Sequence, residues 1–194
     1  MSVGEPAATE IEPRVIVVLN GPLGIGKTTL AEVLAESIKG CVMLDGDHLV
    51  AANPPAADGL EHLHSTIELL VAHHRRFGYR HFVINHLWRT PEELADLRRR
   101  LLEVEPDADI RCFLLTLPAD ENLRRIERRQ SVRALDGSQF EQRTVADERK
   151  ALYGSATGTL GEPFDVSAPP AELVAEMLRR IGTQYPISNP ANTQ

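Results

Sequence analysis

The 194 residues carry a net charge of −7, with 42% hydrophobic and 25% charged positions, which suits one globular domain large enough to bury a core. That acidity repels a phosphate backbone, so non-specific nucleic-acid binding is excluded as the main activity. No apolar run approaches membrane-spanning length, residues 1–13 are acidic and polar rather than a signal peptide, and Cys41 and Cys112 have the spacing of neither a metal site nor a redox pair. A cytoplasmic protein with reduced core thiols and no membrane partner is expected.

With aromatic residues at 5%, Leu, Val, Ile and Ala must build most of the core. Residues 1–13 are expected to form a flexible tail. Residues 14–20 (RVIVVLN) predict a buried strand, and 27–39 a helix with Leu30, Val33, Leu34 and Ile38 on one face, ended by Gly40. Residues 41–45 (CVMLD) predict a second strand. Asn53-Pro54-Pro55 breaks the chain before a helix over 60–77, followed by a third strand at 80–85. Pro91 opens a helix over 91–104, and 110–117 (IRCFLLTL) predict a fourth strand. Two helices follow, at 119–133 and 139–153, then a short strand at 164–167, a helix at 171–181, and a second flexible tail at 183–194. Strands alternating with helices imply a mainly parallel sheet covered on both faces. One domain over 14–182 is expected, with 119–153 as a lid.

Between the first strand and the first helix stands Gly21-Pro22-Leu23-Gly24-Ile25-Gly26-Lys27-Thr28, then Thr29. It meets the pattern G-x-x-x-x-G-K-[ST], in the strand-loop-helix context that the pattern requires. Glycines let the loop turn its amide N–H groups toward one centre, and the helix N-terminus adds positive partial charge there. Phosphate binding follows. Lys27, one of only three lysines, is expected to reach the β- and γ-phosphates of ATP, and the Thr28 hydroxyl to ligate Mg²⁺. An arginine fork would not replace so compact an ammonium.

The class of P-loop protein depends on where the acids lie. No guanine-reading N-K-x-D motif follows a later strand, which argues against a GTPase. The third strand ends Val83-Ile84-Asn85-His86, without the acid usual in motor and transporter ATPases. Acids close the second strand instead, as Leu44-Asp45-Gly46-Asp47-His48. This arrangement resembles the small-molecule kinases of the P-loop superfamily: adenylylsulfate kinase, gluconate kinase, shikimate kinase and chloramphenicol phosphotransferase. The resemblance covers residues 20–30, the acidic run and an Arg-rich lid. It implies a nucleoside-monophosphate-kinase-like fold: an α/β, three-layer αβα P-loop NTPase architecture with a five-stranded parallel sheet and a helical lid.

Phosphoryl transfer needs positioning, charge stabilisation and a carboxylate able to take the hydroxyl proton. Asp45 is the first choice for that base and Asp47 the second, the other acid holding substrate or Mg²⁺-bound water. The lid helix carries Arg124, Arg125, Arg128, Arg129 and Arg133. One or two are expected to touch ATP, Arg128 and Arg133 first and Arg125 and Arg129 next, while the rest pair with Glu121 and Glu127. His48, His86 and Trp88 are the candidate substrate contacts, Trp88 either covering a substrate face or packing beneath a helix. His62, His64, His73 and His74 read as surface or satisfied side chains. Arg75, Arg76 and Arg80 have two readings, gripping an anionic substrate or complementing a helix C-terminus, and the second is favoured.

The expected activity is ATP-dependent transfer of the γ-phosphoryl group to a hydroxyl of a small molecule (a metabolite, nucleoside or antibiotic), by a monomer or homodimer. A nucleotide kinase, a zeta-toxin-like kinase of a sugar nucleotide, and a nucleotide-dependent regulatory module stay open beside it.

Overall fold

Val15–Asn20, the strand β1, is buried along its whole length and divides its side chains between two cores. Val15, Val17 and Leu19 pack with Leu30 and Leu34 of helix α1 (Lys27–Glu36) and with Val174 and Met177 of the last helix, α7 (Pro170–Gly182). Ile16 and Val18 face the opposite way. They meet Leu63 and Ile67 of α3 (Gly59–Arg76) and Leu97 and Leu101 of α4 (Pro91–Val104). The alternation of a strand thus produces three layers, helix on sheet on helix. The computed structural model describes residues 14–130, 138–154 and 158–182, and the expected tails at 1–13 and 183–194 lie outside them.

The sheet has five parallel strands in the order β2-β3-β1-β4-β5, where β2 is Cys41–Asp45, β3 His81–His86, β4 Asp109–Thr116 and β5 Glu162–Asp165. β1 lies between β3 and β4, so the chain leaves it toward one edge and returns to the other. The crevice beyond its C-terminal end is where open α/β sheets place ligands. A one-turn helix, α2 (Gly46–Leu49), follows β2, and α5 (Ala119–Gln130) and α6 (Ser138–Tyr153) lie between β4 and β5.

Two predicted boundaries move for physical reasons. The first helix stops at Glu36 because its last bonds tighten, Ser37 N–H reaching Leu34 and Ile38 N–H reaching Ala35 three residues back at 3.1 and 3.3 Å, and Gly40 then turns with φ of +70°. The fifth strand starts two residues earlier than expected, at Glu162. It pairs only with β4, and an edge strand tolerates Pro163 because one side needs no donor. The fourth helix starts as expected at Pro91. Thr90 caps it, with Glu93 returning the bond.

Candidate active site

The loop from Gly21 to Lys27 joins the end of β1 to the start of α1. Gly24 and Gly26 take φ of +74° and +107°, a region that side chains with a Cβ avoid. A Cβ built on Gly24 would lie 2.3 Å from the Ile126 side chain, so α5 rests directly on the loop. Polar bonds tie the same two parts. Asn122 Nδ2 donates to the Leu23 carbonyl at 3.1 Å, and Arg125 donates to Ile25 at 3.1 Å and to Val166 at 2.8 Å. Lys27 Nζ turns back on its own loop, donating to Gly21 and Pro22 carbonyls at 2.8 and 3.1 Å.

The acids of β2 part in direction. The Asp45 carboxylate accepts the Thr28 hydroxyl at 3.0 Å through one oxygen, and the Asp47 backbone N–H at 3.0 Å through the other. The acidic run is therefore the capped start of α2. Asp47 projects away, and its carboxylate meets His86 Nδ1 at 2.9 Å. This hydrogen bond, aided by the charges of His86, Lys27 and His48, holds the Asp47 carboxyl below the usual carboxylate range, outweighing the opposing effect of burial. Asn85 aligns with Asp45 across β2 and β3. Val83, two residues before it, faces the α1 side, so Asn85 does too. Its side-chain oxygen is buried and has no partner among the described residues.

Among the described residues, two cavities flank the loop. One, of about 260 Å³, is lined by Gly24, Gly26, Thr29, Arg125, Arg128 and Val166. The other, of about 180 Å³, is lined by Leu23, Lys27, Asp47, His86, Arg89 and Glu148. Lys27, Asp47 and its partner His86 lie on this second side, and Asp45 does not line it. A third cavity, about 350 Å³, lies under α4 beside Cys112, away from the loop. Burial pushes that thiol up to about 12, as it does the Cys41 thiol, so neither is a nucleophile at neutral pH.

Several predicted residues fall elsewhere. Trp88 does not cover a substrate: its side chain is fully buried in the α3–α4 core, and its Nε1–H donates to His64 Nε2 at 3.0 Å. His64 is satisfied on both sides, since its other nitrogen meets Asp96 at 2.8 Å and must therefore carry the proton. Trp88 instead supports His86 from below, their rings meeting edge-on at 5.5 Å. His48 is exposed and lines neither cavity beside the loop. Arg124 pairs with Asp120 and Glu121 on a solvated face. Arg125 donates to the loop at the Ile25 carbonyl, and Arg128 lines the cavity beside it. Arg133 lies outside the described residues. Arg75 bonds the Val104 carbonyl and Glu105, far from the loop.

Three residues of the site carry no local signal in the sequence. Asn20 is buried at the end of β1, accepts Trp88 N–H at 3.0 Å and donates to the Trp88 and Leu160 carbonyls at 2.9 and 3.2 Å. It pins the loops after β3 and before β5 beside the phosphate loop. Asn85 could be found only by its place at the end of a strand next to β1. Glu148 of α6 accepts the Leu23 backbone N–H at 2.7 Å and has no neighbouring motif.

Residues 16–154 match a family model described as an AAA domain. The chain belongs to that family. Among solved structures it is similar to a gluconokinase from Sinorhizobium meliloti 1021, at 18% identity over 88% of this chain and 93% of that one, with a TM-score of 0.64. It is also similar to the tunicamycin resistance protein of Deinococcus radiodurans, at 18% identity over 88% and 96%, TM-score 0.63. A shikimate kinase from Acinetobacter baumannii, solved with shikimate, matches at 19% identity over 90% and 96%, TM-score 0.53. At these identities the likeness is one of fold alone, a three-layer αβα architecture around a parallel sheet. No curated protein matches the sequence. No helix among the described residues is long and apolar enough to cross a membrane.

Proposed function

We propose that the protein is an ATP-dependent kinase that transfers the γ-phosphoryl group to a hydroxyl of a small molecule, with 14–182 as its catalytic domain and 119–153 as its lid. The observation that carries this reading is the division of labour in the acid pair. Asp45 is bonded to Thr28, while Asp47 faces Lys27 across a small polar cavity. The 260 Å³ cavity beside Thr29 and Arg128 suits the nucleoside end of ATP, and the 180 Å³ cavity suits the acceptor.

The Thr28 hydroxyl and Asp45 carboxylate are hard oxygen donors, the kind Mg²⁺ takes when it keeps several waters and is shared with phosphates. The unpartnered Asn85 oxygen is an acceptor for one such water. Thr28, Asp45 and Asn85 would hold the ion, which supplies neutralisation of phosphate charge. Lys27 leaves the Gly21 and Pro22 carbonyls for the phosphates. The acceptor oxygen bonds to the γ-phosphorus as its proton passes to Asp47 and the bond to the leaving ADP oxygen breaks. Asp47 thus takes the base role for which the sequence put Asp45 first, because both Asp45 oxygens are already engaged.

This assignment is tested at Asp45. Asp45→Asn raises the Mg²⁺ concentration giving half-maximal ADP formation by about tenfold or more. An unchanged Mg²⁺ requirement would contradict it. Gluconate, shikimate and tunicamycin are the first acceptors to try, because the proteins of similar fold bear those names.

A further inference from the structure

We propose that Glu148 is a positioning residue that reads whether a γ-phosphate is present, holding the phosphate loop at Leu23 in its absence and pairing with Arg89 in its presence. The inference rests on the kinase reading and adds to it a residue that neither the loop motif nor the acid pair contains.

The Leu23 peptide is gripped from both ends. Its N–H donates to Glu148 of α6 at 2.7 Å, and its carbonyl accepts from Asn122 of α5 at 3.1 Å. Asn122 in turn accepts from Arg149, the residue after Glu148, at 3.3 Å. A single loop peptide therefore joins the phosphate loop to both helices of the proposed lid. The second Glu148 oxygen is 3.7 Å from the Arg89 guanidinium, close enough to attract and too far for a hydrogen bond. The Arg89 backbone is anchored to Glu93 at 2.5 Å, so only its side chain needs to move to close that gap.

The electrostatics give this arrangement a direction. The Glu148 side chain is only 10% exposed and lines the same cavity as Lys27 and Asp47. Lys27 is placed to reach the β- and γ-phosphates, so the γ-phosphate arrives beside this carboxylate. A buried negative charge is repelled by the terminal charge of ATP more strongly than by the shorter end of ADP. The approaching phosphate competes for the Leu23 N–H and pushes the carboxylate toward Arg89. The Arg89 charge that lines the acceptor cavity is then neutralised by a paired carboxylate only when ATP is bound.

Wild type, Glu148→Gln and Glu148→Ala are titrated calorimetrically with Mg·ADP and with a non-hydrolysable β,γ-imido ATP analogue. Glutamine keeps an oxygen for the Leu23 N–H, so it separates the effect of charge from that of packing, and a thermal melt confirms that it folds. Both variants should raise the affinity for the analogue relative to ADP by about fivefold or more. Arg89→Met should lower the same ratio in wild type and leave it unchanged in the Glu148→Gln background. An unchanged ratio in Glu148→Gln would overturn the inference. An equal effect of Arg89→Met in both backgrounds would also overturn it, since Arg89 would then act on the phosphate directly. Wild type binding neither nucleotide would instead sink the kinase reading on which the inference rests.

Discussion

Lys27→Ala lowers kcat/KM for ATP-dependent phosphorylation by about 10³-fold or more, the range expected when one charge on the transferring phosphoryl group is lost. The ammonium now donates to two carbonyls of its own loop. Those bonds let it stay half-buried at little cost until phosphate arrives, and they are exchanged for stronger charge-assisted ones. The alanine variant keeps the fold, because Lys27 packs into neither core cluster. Steady-state kinetics paired with a thermal melt measures both effects. A folded Lys27→Ala protein with unchanged turnover would remove the loop from the chemistry.

Asp47→Asn carries the second large effect. It lowers kcat by about 10²- to 10⁴-fold, with the KM for ATP little changed, if Asp47 accepts the acceptor's proton. The effect has a pH signature. The His86 hydrogen bond holds the Asp47 carboxyl below its ordinary value of 3.8, so the group is already a carboxylate at neutral pH. Its depressed value places the acid limb of kcat lower than that of an ordinary aspartate. His86→Ala removes the largest cause of the depression and moves that limb upward in pH. Retention of most of the wild-type rate by Asp47→Asn would point to a phosphate acceptor, which has no proton to lose, and so to a nucleotide kinase.

Much of the fold was legible because its signals are local. The apolar runs became the five strands, Pro91 marked a helix start, Gly40 marked the turn into β2, and Gly21 to Thr28 was complete within one short run of chain. Asp45 and Asp47 could be noticed for a similar reason, standing at the end of a strand whose place beside the loop follows from parallel topology. Their different roles could not be read, since they depend on which way each carboxylate turns: one to Thr28 on α1, the other to His86 on β3. Trp88 had two readings in the sequence, and burial chose the core because His64, 24 positions earlier, supplies a partner for its indole N–H. Glu148 was hidden by distance, with 125 positions separating it from Leu23. A helix of mixed charge such as α6 gives no sign of which acid will meet a backbone amide.

A kinase differs from a nucleotide-dependent regulatory module in where the γ-phosphoryl group goes. ATP labelled with ¹⁸O in that group, offered with Mg²⁺ and a panel of hydroxylated metabolites, nucleosides and antibiotics, can be followed by mass spectrometry of every product. The account predicts one acceptor that gains a single labelled phosphoryl group, with none gained when Lys27→Ala replaces the wild type. Label recovered only as inorganic phosphate across the whole panel would contradict it, and would favour a nucleotide-dependent regulatory module over a kinase.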